Sequence, residues 1–244
     1  MEGFLRKASL RSLLMATSVG FLLLGGCSDP DSRAAKYVKH GEELIAQGQP
    51  DKARLEFRNA LKIKPTLAEP YYQLGLLDEA NGDLRAAFEN YSRAEQQDPK
   101  HHGALVKLAG FYFGAEHFED AQSRVNTVLK DWPDDAGAHA INAAIMLRRG
   151  DKDGASKEVA TALKLDPANV PAISVQVGIY SVQNDIDKAV AALDDGIKRN
   201  PSETSLIQLK IELFKKHNLP DRVANAYDDL FKLHPTDRDY RAGA

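Results

Sequence analysis

Residues 68–101, AEPYYQLGLLDEANGDLRAAFENYSRAEQQDPKH, contain two amphipathic segments separated by a polar turn. The first predicted helix, Glu69–Ala80, ends at Asn81-Gly82-Asp83, where the glycine permits a left-handed backbone and the aspartate can cap the next helix. The second predicted helix, Leu84–Gln97, has apolar residues at steps of three and four. It stops before Pro99, which lacks the N–H that a helix needs. The stretch therefore predicts a helical hairpin of 34 residues.

This hairpin recurs along the chain with a constant period. Its prolines fall 34 residues apart, at Pro65, Pro99, Pro133, Pro167, Pro201 and Pro235. Small and aromatic residues keep the same phase, since Gly41, Ala53, Phe57 and Ala60 of the first copy correspond to Gly75, Ala87, Tyr91 and Ala94 of the second. Six copies are predicted, at residues 34–67, 68–101, 102–135, 136–169, 170–203 and 204–237. This number exceeds the roughly three that a stacked array needs to bury a continuous core.

The pattern resembles the tetratricopeptide repeat, a helix-turn-helix unit of 34 residues. The resemblance covers residues 34–237 and implies an all-α fold, a right-handed superhelical solenoid of six repeats. It weakens in the last two copies, where Val177 and Ile211 stand at a position that the family fills with glycine or alanine. Residues 238–244 are a short tail. Either the sixth copy is its own cap, or the chain is a piece of a longer array.

The charge balance argues against nucleic acid as a partner. The formal net charge is −3, and it becomes −5 without residues 1–26. Lysine and arginine alternate with aspartate and glutamate, as they do on solvated helix faces, so no basic face favours the release of counterions from a nucleic acid.

The amino terminus predicts a bacterial export signal over residues 1–26. Three basic residues precede an apolar stretch of about a dozen residues, too short to span a membrane comfortably. Leu24-Gly25-Gly26-Cys27 resembles the lipobox of bacterial lipoproteins, and this resemblance implies that Cys27, the one cysteine of the chain, carries the lipid. Residues 27–33 would then be the lipidated cysteine and a polar tether. The alternatives are an ordinary secretory signal and a plain N-terminal membrane anchor. Ser28 after the cysteine favours the outer membrane, with the protein facing the periplasm.

The sequence does not contain the residues that catalysis would need. The seven histidines are scattered, and none lies in a His-x-Glu or His-Glu-x-x-His motif. His101-His102 falls between copies two and three, where a solvated loop is expected rather than a metal site. The glycines belong to the signal and to the repeat turns rather than to a phosphate-binding loop. We therefore expect no enzymatic activity, no metal and no cofactor.

The resemblance implies that the first helix of each copy lines a concave groove that binds protein partners. Carried over by phase, the predicted groove residues are Tyr72, Leu76, Val106, Gly110, Phe113, Ala140, Ala144, Leu147 and Arg148. The middle of this groove is apolar, which suits an amphipathic helix or an extended peptide. Gly110 and Gly114 lie one turn apart and predict the close approach of a ligand or of a neighbouring helix. Arg148 could contact an acidic partner.

Together these features predict a membrane-anchored, non-catalytic scaffold that binds protein partners of the cell envelope. Similar proteins are the pilotin-like lipoproteins of type IV pilus assembly, which help a secretin reach the outer membrane. The alternatives are the repeat lipoproteins of exopolysaccharide production and export, and a non-catalytic regulatory subunit of a periplasmic enzyme.

Overall fold

The computed structural model describes residues 29–233, and this range is folded into twelve α-helices. They are α1 (Pro30–Ala46), α2 (Pro50–Ile63), α3 (Ala68–Ala80), α4 (Leu84–Gln97), α5 (His102–Gly114), α6 (Phe118–Asp131), α7 (Ala136–Arg148), α8 (Lys152–Leu165), α9 (Val170–Val182), α10 (Ile186–Arg199), α11 (Thr204–Lys216) and α12 (Pro220–Leu233). The predicted signal, Cys27, Pro235 and the tail 238–244 lie outside the described residues. None of the twelve helices is long and apolar enough to cross a membrane.

The helices form six antiparallel hairpins, one in each 34-residue copy, with α1 beginning four residues before the first predicted boundary. Five of the repeated prolines end the second helix as predicted. The helices α2, α4, α6, α8 and α10 each stop two residues before Pro65, Pro99, Pro133, Pro167 and Pro201, respectively. The all-α solenoid predicted from the repeat period is therefore confirmed.

The turn inside each hairpin keeps one backbone conformation in all six copies. Its central residue has a positive φ, which glycine adopts without strain. The six residues at this position are Gly48, Gly82, Glu116, Gly150, Asn184 and Asn218, with φ between 53° and 85°. Asp83 follows the turn and its Oδ1 accepts a hydrogen bond from the Ala86 N–H at 3.0 Å, which caps α4 as predicted. Glu116 is therefore an acidic residue in a conformation that favours glycine.

Each hairpin is closed by a pair of residues whose sizes are complementary. In the first two copies a glycine on the first helix faces an aromatic ring on the second, Gly41 against Phe57 and Gly75 against Tyr91. In copies three to five alanine or valine replaces the glycine, valine or leucine replaces the ring, and both members lie together in the core. These pairs are Ala109 with Val125, Ala143 with Val159, and Val177 with Leu193, while Ile211 and Tyr227 share one cluster in copy six. The departures from the family pattern therefore preserve the packing between the two helices.

Successive hairpins share their core through the first helices. The helices α5, α7, α9 and α11 contact one another in sequence, while each second helix contacts the first helix of the next copy. Gly196 on α10 leaves room for this packing, because a Cβ added there would lie 3.0 Å from Cγ2 of Ile173 and 3.2 Å from Cδ1 of Leu206. The helices α5, α7, α9 and α11 consequently form one continuous layer.

Candidate functional site

The layer of first helices forms the surface on which the predicted groove residues lie. Four of these residues are half-buried, because each packs against the neighbouring copy. Tyr72 contacts Gly103, where an added Cβ would meet the Tyr72 ring at 2.5 Å, and Val106 lies against Gly137 in the same way at 3.3 Å. Leu147 packs on Gly178, where an added Cβ would lie 3.2 Å from its Cδ2. Leu76 packs beside the cluster of Ala87, Tyr91 and Leu108. These four side chains therefore connect adjacent repeats, and their part in a partner groove stays a prediction.

Gly110 and Gly114 of α5 face open space. A Cβ built on either glycine has no heavy atom within 4 Å among its non-local neighbours, and both residues are exposed. The neighbouring helix that these glycines were predicted to admit is therefore not there. What remains is an uncovered backbone strip in the third copy, with space for a ligand.

The predicted groove residue Phe113 also belongs in part to the core. Phe113 is half-buried and packs beside Ala109, Ala121, Val125 and Ile145, with its ring centroid 5.7 Å from that of Phe118. Phe113 therefore supports the fold while part of its side chain stays exposed.

Ala140 is not a groove residue, and this prediction is wrong. It is only 1% exposed and packs with Ala162 of α8 and Ala172 of α9. Three small side chains at one point let the helices approach closely enough to cover it. Ala144, one turn later, is half-buried.

Arg148 is the last residue of α7 and is exposed. It makes no ion pair with another residue of the range 29–233, whereas the adjacent Arg149 binds Glu119 at 3.2 Å. Arg148 is thus a cation whose guanidinium is available at the edge of the groove.

A partly buried polar cluster joins copies two and three and was only partly visible in the sequence. Tyr91 Oη donates a hydrogen bond to Glu79 at 2.5 Å, and Lys107 Nζ binds the same carboxylate at 3.0 Å. Burial, together with the Glu79 carboxylate, raises the pKa of the Tyr91 phenol far above its usual range. Nothing in the sequence indicated that the Glu79 carboxylate is shared between a buried phenol and a lysine of the next copy.

His101 and His102 are structural residues rather than a solvated loop, which corrects the expectation for this segment. His101 Nδ1 accepts from the Ala104 N–H at 3.2 Å and so caps α5. Its Nε2 must then carry the proton and donate it to Glu69 at 3.0 Å, a hydrogen bond that holds the pKa of Glu69 below its ordinary value. The His102 ring stacks on Trp132 with centroids 4.5 Å apart, and its Nε2 contacts Asp135 at 2.7 Å.

A third histidine joins the two helices of copy four. His139 donates from Nδ1 to Glu158 at 2.6 Å and from Nε2 to the Pro133 carbonyl at 2.8 Å. Burial works against the charged imidazole, but these two acceptors outweigh it, so the pKa of His139 is raised. Within residues 29–233 no group of three or more histidine, cysteine, aspartate or glutamate side chains is arranged to hold a metal ion.

Family models of two tetratricopeptide-repeat groups match the first part of the array. One, described as "Tetratricopeptide repeat", matches residues 78–145, and the other, described as "TPR repeat", matches residues 41–82. These helical hairpins are tetratricopeptide repeats. Beyond the matched residues, the structure has the same helical hairpin at the same 34-residue spacing as far as α12.

Two curated proteins are similar to part of this TPR chain. The probable biofilm formation methyltransferase WspC of Pseudomonas putida is 35% identical over 107 residues, which cover 38% of this chain and 25% of WspC. The type IV pilus assembly protein PilF of Pseudomonas aeruginosa is 24% identical over 101 residues, which cover 41% of this chain and 40% of PilF. The chain thus spans a quarter of the length of WspC and two fifths of that of PilF.

Solved structures match the TPR array over more of its length. The structure of Pseudomonas aeruginosa PilF covers 87% of this chain and 97% of its own, with a TM-score of 0.59 and 19% identity. That of PilW, a type IV pilus biogenesis factor, covers 86% of this chain and 97% of its own, with a TM-score of 0.64 and 13% identity. At these identities the likeness concerns the fold.

Proposed function

We propose that this chain is a lipid-anchored, non-catalytic TPR scaffold that faces the periplasm, from the outer membrane, and binds a protein partner through its groove. Its role is to help assemble an envelope complex of the type IV pilus and secretin kind. The observation that carries the groove proposal is the open strip at Gly110 and Gly114, flanked along α5 by the half-buried Val106 and Phe113. A short apolar segment of a partner can approach the helix backbone there without displacing a side chain.

The pilus assignment is supported by the likeness to PilF in sequence and to PilF and PilW in fold. The lipid anchor is supported by the lipobox-like Leu24-Gly25-Gly26-Cys27, which ends two residues before the described part of the chain begins. Acyl chains at Cys27 would confine the array to a membrane and so raise the effective concentration of a partner there.

The anchor is tested by Cys27→Ser in the native host. The expected result is release of the folded array from the membrane fraction, or retention of the uncleaved signal. If Cys27→Ser protein matured and fractionated with membranes like wild type, the lipoprotein proposal would be wrong.

The groove is tested by Gly110→Gln, which places a side chain in the open strip. The site has room, so helical content should be kept while crosslinking to the partner in cells is lost. Ala160→Gln is the matched control, because Ala160 is an exposed position on α8, outside the layer of first helices. A crosslinked secretin or pilus protein that is lost only in Gly110→Gln supports the proposal. Recovery of polysaccharide synthesis or export proteins instead would assign the scaffold to exopolysaccharide production.

A further inference from the structure

A basic groove lies between copies one and two, outside the partner groove. It is an open depression of about 800 Å³ bounded by α2, α3 and α4. Four cations line it, namely Arg54, Arg58, Lys62 and Arg93, together with Tyr71 and two carboxylates, Asp78 and Asp83. We call this surface the arginine groove.

The charges of the arginine groove are unevenly compensated. Arg54 is bound by Asp78, which also accepts from Asn90 at 2.7 Å, so this end of the groove is neutral. Arg58, Lys62 and Arg93 make no ion pair with any residue of the described range, and the Arg93 guanidinium lies over the Tyr71 ring at 5.9 Å. The other end therefore presents three uncompensated cations beside an aromatic ring.

The two free arginines are a feature of this groove and not of the repeat. At the position of Arg58 the later copies have Ser92, Asn126, Ala160, Asp194 and Asp228. At the position of Arg93 the other copies have Asn59, Thr127, Thr161, Asp195 and Asp229. Copies five and six thus carry aspartates at both positions, so the charge of this face reverses along the array.

The net charge of the chain also changes from positive in the first copy to negative in the rest. Copy one, residues 34–67, contains seven basic and four acidic residues, a net charge of +3. Residues 68–244 contain 21 basic and 28 acidic residues, a net charge of −7. An anionic surface would attract the first copy and repel the rest of the chain.

The free cations lie at the end of the hairpins where the chain begins. Lys64, just after α2, binds Asp31 in the first turn of α1 at 2.8 Å, which places the end of α2 beside the start of α1. Arg58 and Lys62 belong to the last two turns of α2, and Arg93 lies in the last two turns of α4. Only three Cα–Cα steps separate Cys27 from Pro30, so a lipid on Cys27 would hold this end within about 11 Å of the membrane along the chain.

We propose that the free cations of the arginine groove, Arg58, Lys62 and Arg93, contact anionic phospholipid headgroups, so that the array stands on the membrane on its copy-one end. This inference rests on the lipid anchor of the proposed function. An acyl anchor alone leaves the array free to pivot about the tether. A basic surface beside the anchor adds a second, electrostatic attachment and fixes which end faces the lipid.

The experiment uses the full acylated chain reconstituted in vesicles of phosphatidylcholine, with or without phosphatidylglycerol. Exposed amines are acetylated by a water-soluble reagent, and labelling is quantified by mass spectrometry. We expect labelling of Lys62 to fall roughly fivefold when phosphatidylglycerol is present, from the attraction of a lysine to an anionic surface. Lys52, in the first turn at the opposite end of α2, is the internal control and should keep its labelling. High salt should restore the labelling of Lys62.

Variants separate this contact from a general effect of lipid charge. The double substitution Arg58→Gln and Arg93→Gln should remove the protection of Lys62, while Arg85→Gln, at an exposed residue near the start of α4, should leave it intact. Circular dichroism checks that the variants keep their helices.

Equal labelling of Lys62 in both vesicles, with the chain still retained on them, would overturn the inference and leave the anchor standing. Loss of the chain from both vesicle types would overturn the anchor and this orientation with it. If lipid charge has no effect but the double variant loses its crosslinked partner in cells, the arginine groove binds protein and the lipid proposal is wrong.

Discussion

Gly75 on α3 lies directly against the ring of Tyr91 on α4. A Cβ added to Gly75 would be 2.5 Å from Cε1 and 2.6 Å from Cδ1 of that ring, and Tyr91 is fully buried. The ring cannot move aside easily, because it also packs on Phe111 of the next copy, with centroids 5.9 Å apart, and its hydroxyl is bound to Glu79. The absence of a side chain at position 75 is therefore a requirement of the core.

Gly75→Ala should destabilise the array by about 1–3 kcal/mol, the usual cost of forcing an extra carbon into a packed core. Gly110→Ala is the matched control, since it also lies within a first helix but has nothing within 4 Å of an added Cβ. It should raise stability by about 0.5–1 kcal/mol through helix propensity. Urea unfolding followed by circular dichroism measures both, and equal effects of the two substitutions would contradict this account of Gly75.

Asp78→Ala should cost roughly 2–4 kcal/mol, because it leaves the Arg54 guanidinium without its carboxylate in a largely buried position. Asp78 is 7% exposed and joins copy two to copy one through Arg54 and to α4 through Asn90. Glu89→Ala breaks an exposed pair with Arg85 on the same face of one helix and should cost less than about 0.5 kcal/mol. If thermal unfolding shows a comparable loss of stability in both variants, the Arg54–Asp78 pair contributes no more than an exposed ion pair.

Glu116→Gly should stabilise the protein, by about 1 kcal/mol, because Glu116 has a φ of 61° that glycine adopts without the steric cost of a Cβ. Asn184→Gly, at the same turn position of copy five with a φ of 57°, should gain less, since asparagine tolerates this conformation. Unfolding midpoints in urea test the order. A loss of stability in Glu116→Gly would mean that the extra freedom of the unfolded chain outweighs the relief of strain.

The contribution of His139 to stability should depend on pH. Its folded-state pKa is raised above the ordinary value near 6.5, so the imidazolium stabilises the fold fully below that value. The contribution is lost as pH rises through the raised pKa. The difference in melting temperature between wild type and His139→Gln should therefore be larger near pH 6 than at pH 9.

Glu158→Gln gives the second measurement, because it removes the carboxylate that faces the imidazole and leaves the Pro133 carbonyl in place. It should flatten the same pH dependence. A difference between wild type and His139→Gln that does not change with pH would mean that folding does not raise the pKa of His139.

The sequence was sufficient for the features that recur with the period. The prolines, the turn glycines and the cap at Asp83 are local signals, each with its own stereochemical cause, and the structure has them where the period puts them. The groove residues were also predicted from their positions within the repeat. Position alone was a less reliable guide to whether a side chain is exposed. Tyr72 and Ala140 occupy the same position in copies two and four, but Tyr72 is half-buried and Ala140 is covered.

This difference depends on the size of the residue itself, because alanines occupy the corresponding neighbouring positions in both places: Ala162 and Ala172 beside Ala140, and Ala94 and Ala104 at the same spacings from Tyr72. The methyl group of Ala140 is covered in this contact between copies, whereas the Tyr72 ring extends to Gly103. The Arg54–Asp78 pair and the lysine on Glu79 likewise join residues of different copies, 24 and 28 residues apart. Charged residues at such separations are common, so only the folded arrangement identifies the pairs.

The glycine-to-ring pairs of the first two hairpins also limit how such a gene can be rearranged. Both members of each pair lie within one copy, so a recombination event that exchanges whole copies keeps them together. A crossover at the turn between the two helices would instead combine α3 with a foreign second helix, and Gly75 would face the smaller Val125 or Val159 and leave a void. The reverse product would place the ring of Tyr91 against Ala109 or Val177. The side chains of these residues occupy the space that Gly75 leaves for the ring. The hairpin, and not the single helix, is thus the smallest piece that can be gained, lost or exchanged without separating these pairs.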